Sequence, residues 1–400
     1  MESPGKVLII VQNLPVPFDR RVWLEANTLK DSGYEVSVIS PKGKEGKFQS
    51  GHEVINGIHI YRYRVPPEAK STVDYFYEFV YCWIATALLS LKIWFSRGFN
   101  VIQACNPPET FFLLARFYKL FGVKFIFDHH DLSPEMYVAK GGRADGFLYR
   151  CLLWLENQTF RTADVVISTN ESYKEIARLR GRVLEEKIFV VRNGPDFDRL
   201  KVLDADPGLK NASPYLACYL GEMCRQDGVE YLLKAIKVFV EEIGRRDVRF
   251  VLMGGGPALE ELRSLNTELK LDSHVIFTGR VSDEDLCRYL STADICLDPD
   301  PYSEWADQST MNKIMEYMAF GKPIVAFNLR ENRYSAQDAA VYARPNDVTE
   351  FAKLVSSLLD DEEKRRNMGS IGLRRVREKL AWTYSKPSLL SAYETLRVKQ

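Results

Sequence analysis

Short uninterrupted apolar runs recur along the chain, and stretches with apolar residues three and four apart separate them. Val7-Leu8-Ile9-Ile10-Val11 is the first run, Val36 to Ser40 the second, and Gly57 to Arg64 a third by its alternation. Val101 to Ala104, Lys124 to Phe127, Val165 to Ser168 and Ile188 to Arg192 follow. Helical patterns lie between them, through Trp23, Leu24 and Leu29 to a stop at Gly33, and near Phe111 to Phe121. Such alternation predicts an α/β protein with a parallel sheet covered on both faces. Turn chemistry at Val191-Arg192-Asn193-Gly194-Pro195 ends this array, and the polar stretch from Asp196 to Pro214 reads as an interdomain linker.

A second array then begins. Tyr215 to Leu220 is a strand, Gly221 to Gly228 a loop, Val229 to Ile243 a helix and Arg249 to Met253 a strand. Gly254-Gly255-Gly256-Pro257 is a backbone-exposing turn before a helix starting near Leu259, and Val275 to Thr278 leads into Gly279-Arg280-Val281. Asp360 to Leu380 reads as a charged surface helix. Two Rossmann-like parallel-sheet domains facing a central cleft would bring both sets of strand-end loops together. The expected boundaries are 1–195 and 196–380, with a helix over 381–400 packing back on the first domain.

The densest chemistry lies between Asp294 and Phe327, where Ile295 to Leu297 and Pro323 to Phe327 are apolar runs flanking a loop and a short helix. Ser309 and Thr310 are expected N-caps, and Gly321-Lys322-Pro323 is a stop, which makes Met311 to Phe320 the helix. Met311, Ile314, Met315 and Met318 share one face, with Asn312, Lys313 and Glu316 opposite. A helix start beyond the carboxyl end of a strand offers free backbone N–H groups and the positive end of its dipole, which suits a phosphate. Lys313 adds a mobile cation, Ser309, Thr310 and Asn312 add donors, and Glu316 one turn further in would accept from sugar or ribose hydroxyls. A capped helix with a merely solvated polar face is the alternative.

Composition narrows the function only a little. The chain of 400 residues balances 54 Lys and Arg against 54 Asp and Glu, so no net field argues for nucleic acid. Seven scattered cysteines without C-x-x-C spacing read as reduced and packed, which suits the cytoplasm. Met1 to Lys6 runs straight into the first strand, too short for a signal peptide. Phe79 to Leu91 is uncharged but shorter than the about 20 residues a bilayer span needs. Tyr75, Phe76, Tyr77, Tyr81, Trp83, Trp94 and Phe95 surround it, with Lys92 and Arg97 at its end, so either a buried helix or contact with the membrane interface fits.

No G-x-G-x-x-G follows the first strand, so a dinucleotide cofactor is not expected. Asp128-His129-His130-Asp131 sits at the carboxyl end of a strand, where open α/β sheets place ligands. Adjacent histidines point two ways on a strand and lack a third ligand, so one imidazole on a substrate is the better reading than a metal site. Asp298-Pro299-Asp300 copies the D-x-D of manganese-dependent transferases, but Pro299 and Pro301 at a strand exit argue for a rigid structural role.

Taken together, several motifs resemble the retaining glycosyltransferases of family 4, with the GT-B fold, and in particular those that build cell-surface polysaccharides or glycolipids. They are F-D-R-R-V-W-L-E-A from Phe18, D-H-H-D-L-S-P-E from Asp128, N-G-P-D from Asn193, Y-L-G with Q-D-G-V from Tyr219, G-G-G-P from Gly254, F-T-G-R-V from Phe277, and N-K-I-M-E-Y-M-A-F-G-K-P-I-V-A from Asn312. The resemblance implies a second domain that binds a nucleoside-diphosphate sugar, through Arg225, Gly255, Gly256, Arg280, Val281, Asp307, Ser309, Thr310, Asn312, Lys313 and Glu316. It implies a first domain that binds a glycan or polyprenyl-linked acceptor, with Arg20, Arg21, Asn106 and Asp131 on the acceptor side. His130 and Glu316 would be the residues nearest the chemistry. The family's E-x7-E keeps only its second glutamate, Glu316, since Gln308 holds the first position; its usual basic pair is replaced by Glu222 and Asp227, for which Arg225 would substitute.

The implied activity is metal-independent hexosyl transfer with retention, by a cytoplasmic enzyme, with peripheral contact on the inner face of the membrane as a further expectation, and it needs no cofactor beyond the nucleoside-diphosphate-sugar co-substrate. A non-catalytic nucleotide-sugar-binding scaffold and a sugar-nucleotide epimerase are the alternatives.

Overall fold

The computed structural model describes residues 5–43, 48–66 and 72–396, apart from the side chains of Thr72, Val73 and Tyr75. Met1 to Pro4, the Tyr75 ring and residues 397–400 of the terminal segment therefore lie outside the described residues. The chain divides into two units: one comprises 1–138, 142–192 and 385–400, the other 139–141 and 193–384.

The first unit contains β1 (Lys6–Ile10), β2 (Glu35–Pro41), β3 (His52–Ile55), β4 (Ile58–Tyr63), β5 (Val101–Cys105), β6 (Lys124–His129), β7 (Val165–Ser168) and β8 (Ile188–Val190). They form one sheet in the order β3-β4-β2-β1-β5-β6-β7-β8, parallel except where β3 runs antiparallel to β4. The inner strands are apolar on both faces because both are covered, and Val7 pairs with Val36 on one side and Val101 on the other. Strand β3 escaped the sequence reading because His52 to Ile55 is an edge strand that is nowhere fully buried. The legible signal was Asn56-Gly57, both at positive φ, the two-residue turn that closes a hairpin.

Helices α1 (Arg20–Asp31), α2 (Thr72–Ser96), α3 (Phe112–Lys119), α4 (Ser133–Ala139), α5 (Phe147–Thr162) and α6 (Glu171–Leu179) connect these strands. Asp19 caps α1 by accepting from the Val22 amide at 3.1 Å. Helices α2, α3 and α5 share one hydrophobic cluster with the sheet, built around Ile10, Ile102, Phe125 and Phe127.

The second unit has six parallel strands, β9 (Tyr215–Leu220), β10 (Val248–Met253), β11 (Val275–Gly279), β12 (Ile295–Asp298), β13 (Ile324–Phe327) and β14 (Ala340–Ala343), in the order β11-β10-β9-β12-β13-β14. Its helices are α7 (Val229–Glu241), α8 (Leu259–Glu268), α9 (Asp283–Thr292), α10 (Glu304–Gln308), α11 (Asn312–Ala319), α12 (Arg330–Ala336), α13 (Val348–Asp360) and α14 (Glu362–Arg375), and α15 (Trp382–Glu394) passes into the first unit. The expected surface helix over Asp360 to Leu380 is instead α14 followed by a π-helical turn at Val376–Leu380, and Met368, Gly369, Gly372, Val376 and Leu380 are buried. Gly369 is required there, since a Cβ would sit 2.0 Å from the Gly321 carbonyl oxygen.

Both sheets reverse their strand order beside the first strand, between β1 and β5 in one unit and between β9 and β12 in the other. Loops leaving the carboxyl ends of these strands diverge, and that is where open α/β sheets hold ligands. All seven cysteines are free thiols.

Candidate active site

In the second unit, the loops after β9, β10 and β11 are stitched together by backbone contacts. The Gly254 amide donates to Gly279 O at 2.9 Å, the Met223 amide to Gly255 O at 3.1 Å, and the Ala258 amide to Met223 O at 2.9 Å. Only glycine fits at 254: its φ is +150° and a Cβ would lie 1.7 Å from Gly221 O. Arg280 packs its side chain against Gly255, and Val281 is half-buried against the core of the unit. Gly256 and Gly255 thus join Arg280 in one half-buried rim of backbone.

The first turn of α11 lies against the loop after β9, where a Cβ on Gly221 would meet Lys313 Cε at 3.4 Å. Neither Ser309 nor Thr310 holds the N-cap position: it falls on Met311, whose side chain makes no cap hydrogen bond. Ser309 instead ends α10, a short helix that the sequence reading took for loop, and Thr310 Oγ1 donates to Glu331 Oε2 at 3.2 Å. The first amides of α11, with exposed Asn312 beside them, therefore keep the character of an anion site.

Lys313 departs from expectation. It is buried, with Nζ 2.7 and 2.9 Å from the two Asp300 oxygens, 3.4 Å from Asp298 Oδ1 and 5.1 Å from the centroid of the Tyr219 ring. It is a fixed countercharge beneath the loop, not a mobile cation. Although burial disfavours its ammonium, Asp300 and its neighbours hold it charged, well above the ordinary lysine range. Around it, burial and the neighbouring Asp298 charge push Asp300 up, and burial pushes Asp227 up to about 6. The D-x-D pair is committed in the same way, since Asp298 Oδ2 also accepts from Asn332 Nδ2 at 2.7 Å.

Glu316, one turn along α11, is gripped by the guanidinium of Arg199, whose other nitrogen lies 2.8 Å from Asp283. Arg199 belongs to the segment taken for a linker, and composition alone gave no sign that it returns to the site. Tyr317 was also missed: its hydroxyl accepts from the Leu220 amide at 2.7 Å and donates to Leu297 O at 3.1 Å, fixing α11 against β9 and β12. Arg225, on a 3-10 turn, is exposed and 3.4 Å from Glu261, so it is a surface cation. Asp307 is not turned to a ligand: its Oδ1 accepts from the Arg330 amide at 2.8 Å. Gln308 donates to Glu304 O at 3.0 Å.

In the first unit, β6 delivers Asp128 into a buried charge network. Arg21 Nη2 donates to Asp128 Oδ1 at 2.8 Å and lies 3.1 Å from Glu25, and Arg21 Nη1 donates to Val191 O at 2.7 Å. Gln103 Nε2 donates to Glu25 at 2.6 Å and to Asp128 at 2.8 Å, while Tyr393 donates to Gln103 Oε1 at 2.5 Å. Against the cost of burial, Arg21 and His130 hold Asp128 well below the carboxylate range, and burial, with Asp128 beside it, pushes Glu25 well up. Arg21 is thus a buried strut of the site rather than an acceptor contact, and exposed Arg20 is the neighbour that faces solvent.

His130 rests on this network. Its Nε2 lies 2.8 Å from Asp128 Oδ2 and 2.9 Å from Arg21 Nε, so it either gives a proton to the carboxylate or receives the Arg21 N–H. Asn106 Oδ1 accepts from the His130 amide at 2.6 Å and the Asp131 amide at 3.2 Å, and Asn106 Nδ2 donates to Asp131 O at 2.7 Å. Asn106 therefore shapes the Asp131 loop from beneath and is itself buried. His129 points the other way, buried among Phe127, Phe160 and Tyr173, so the two histidines do not converge.

Known proteins resemble the chain in sequence and in fold. A sequence family described as "Glycosyl transferase 4-like domain" matches residues 19–194, and one described as "Glycosyl transferases group 1" matches residues 214–361. Alpha-D-kanosaminyltransferase of Streptomyces kanamyceticus is 26% identical over 228 residues, which is 54% of this chain and 56% of that relative, so the match spans little more than half of either. An uncharacterised glycosyltransferase of Methanocaldococcus jannaschii is 23% identical over 92% of each chain. Among solved structures, sucrose-phosphate synthase from Thermosynechococcus elongatus superposes with a TM-score of 0.79 at 19% identity, covering 98% of each chain. Anabaena HepE in complex with UDP-glucose superposes at 0.69 with 17% identity, over 96% of this chain and 98% of that one. The structural likenesses establish the GT-B type of fold.

Proposed function

The chain belongs to the group 1 glycosyltransferases of the family 4 type, and from that premise we propose that it moves a hexose from a nucleoside-diphosphate sugar to a glycan or lipid-linked acceptor during cell-surface polysaccharide or glycoconjugate synthesis. The carrying observation is the start of α11, where N-cap Met311 offers no side-chain cap and Lys313 lies against Gly221 of the loop on which the Gly254 turn packs, with Glu316 one turn further along. In this reading the diphosphate lies on the α11 amides, Asn312 and the rim, with Arg280 alongside and Arg225 reaching it from the surface. Glu316 holds the ribose, and Arg199 orients its carboxylate. HepE, of the same fold, is described with UDP and UDP-glucose bound, which supports a nucleotide-sugar donor here.

The chemistry is proposed as same-face displacement with retention. The bond between the sugar's anomeric carbon and the diphosphate oxygen breaks, the acceptor oxygen bonds to the same face of that carbon, and the departing diphosphate oxygen takes the acceptor proton. The protein's share is positioning and stabilisation of the leaving charge, which helix amides and guanidinium groups supply. His130, oriented by Asp128 and Arg21, is assigned to a hydroxyl of donor or acceptor. The acceptor is assigned to the first unit, near Arg20 and Asp131. The reading places the enzyme in the cytoplasm and uses no divalent cation, since Asp298 and Asp300 already neutralise Lys313.

The test is acceptor-dependent release of nucleoside diphosphate from a panel of donors, with the anomeric configuration of the product read by NMR. Retained configuration supports the reading, inverted configuration contradicts the mechanism, and donor conversion without acceptor would favour an epimerase.

A further inference from the structure

Helix α2 turns its more apolar face outward. Its buried stripe is Cys82, Thr86, Ser90 and Ile93, partly polar, with Ser90 Oγ 2.9 Å from the Tyr118 hydroxyl. The opposite stripe, Tyr77, Tyr81, Ile84, Leu88 and Phe95, is exposed, and Phe95 is 84% exposed. An ordinary surface helix has the reverse polarity. Over Phe76–Ser96 the mean hydropathy is 1.5, yet only 22% of the most apolar window is buried.

The apolar surface continues onto two neighbours. Trp94 of α2 lies 5.3 Å from Tyr118 of α3 and 6.0 Å from Phe121, and α3 exposes Leu113, Phe117 and Leu120. Phe112 of α3 lies 6.4 Å from Trp154 of α5, which exposes Phe147, Leu148 and Trp154 itself. Across α2, α3 and α5 and the residues that end them, Lys92, Arg97, Arg116, Lys119, Arg150 and Arg161 stand against Asp74, Glu78 and the buried Glu156, an excess of cations.

We propose that this three-helix face of the first unit docks on the surface of an anionic lipid bilayer. Aromatic and aliphatic side chains enter the headgroup boundary while the cations meet lipid phosphates. The inner stripe of α2 is built into the core, so the helix lies on the membrane rather than crossing it. The length and hydropathy of the exposed α2 stretch, with the excess of cations at Lys92, Arg116 and Arg150, favour an anionic lipid surface over a second copy of the chain, which would bring the same cations together. This inference does not rest on the transfer reading, and its test contains no sugar.

The test is co-sedimentation of the full chain with vesicles of phosphatidylcholine alone or with about 30% phosphatidylglycerol. The expected result is strong binding to the anionic vesicles that added salt weakens, and weak binding to the neutral ones. Leu88→Ser/Phe95→Ser should lower the bound-to-free ratio roughly tenfold while circular dichroism and melting temperature are kept, because both side chains are exposed. Lys92→Glu/Arg150→Glu provides a second variant that leaves the apolar surface intact, and it should lose the preference for anionic vesicles. Failure of the full chain to bind either vesicle would overturn the proposal. So would unchanged binding by both folded variants, or a lipid-free dimer that the serine variant dissolves without any vesicle binding.

Discussion

Lys313 Nζ lies 2.7 Å from Asp300 Oδ1 in the interior of the second unit, and the same ammonium sits 3.4 Å from Asp298. Removing one partner of such a cluster leaves the others buried and uncompensated, at a cost of about 3–5 kcal/mol. Lys313→Met is therefore expected to lower the melting temperature by roughly 10 °C at pH 7.5. The loss should shrink near pH 5, where Asp227 and Asp300 take up protons more readily than ordinary carboxyls. Thermal unfolding at the two pH values checks this, and an unchanged melting temperature at pH 7.5 would show that the pair is not a structural countercharge.

Asp227 gives a pH dependence of definite sign. Its folded pKa is about 6, against about 3.9 for an unfolded aspartate. A raised folded value means that its contribution is fully present below about pH 4 and is lost as pH rises through about 6, a swing of about 3 kcal/mol at most. Asp227→Asn should melt higher than the parent at pH 7.5, and the difference should shrink towards zero as pH falls to about 4. Parallel melting curves for the two proteins across that range would contradict the assignment.

How much of this was legible beforehand differs by residue. The inner strands were, because burial on both faces writes itself as unbroken apolar runs such as Val7 to Ile10. Lys313 was misplaced for a physical reason. A helical wheel sets it opposite Met311, Ile314 and Met318, but α11 is buried nearly all round, and the face opposite the methionines is turned to Asp298 and Asp300. No periodicity encodes a countercharge supplied by another strand end. Arg199 was lost likewise: its neighbours are polar and loop-like, and its value lies in the contact with Glu316, 117 residues away. The Asp128–Asp131 stretch was singled out because it ends a strand, and His130 rather than His129 only through the family resemblance, while the contacts made by Arg21 and Tyr393 in its network span separations of 109 residues and more.

The Arg199–Glu316 contact yields a third prediction. If Arg199 orients the carboxylate for a ribose, the two side chains act as one unit, and their removal is not additive. Arg199→Met and Glu316→Gln should each weaken donor binding about tenfold, about 1.4 kcal/mol, and the double variant should be little worse than either single one. Calorimetric titration of the four proteins with the preferred donor measures the coupling. Fully additive losses would assign the two residues independent roles.

The most direct test of the central claim, that the second unit binds a nucleoside-diphosphate sugar without a metal, is a thermal-shift screen against UDP-, GDP-, ADP- and dTDP-sugars, with and without a chelator. A ligand held by the native state raises its melting temperature by mass action. The account predicts a rise of several degrees with one nucleotide class, unchanged by the chelator and reduced in Glu316→Gln. A rise that the chelator abolishes would contradict the metal-free site, and no rise with any donor would contradict the claim itself.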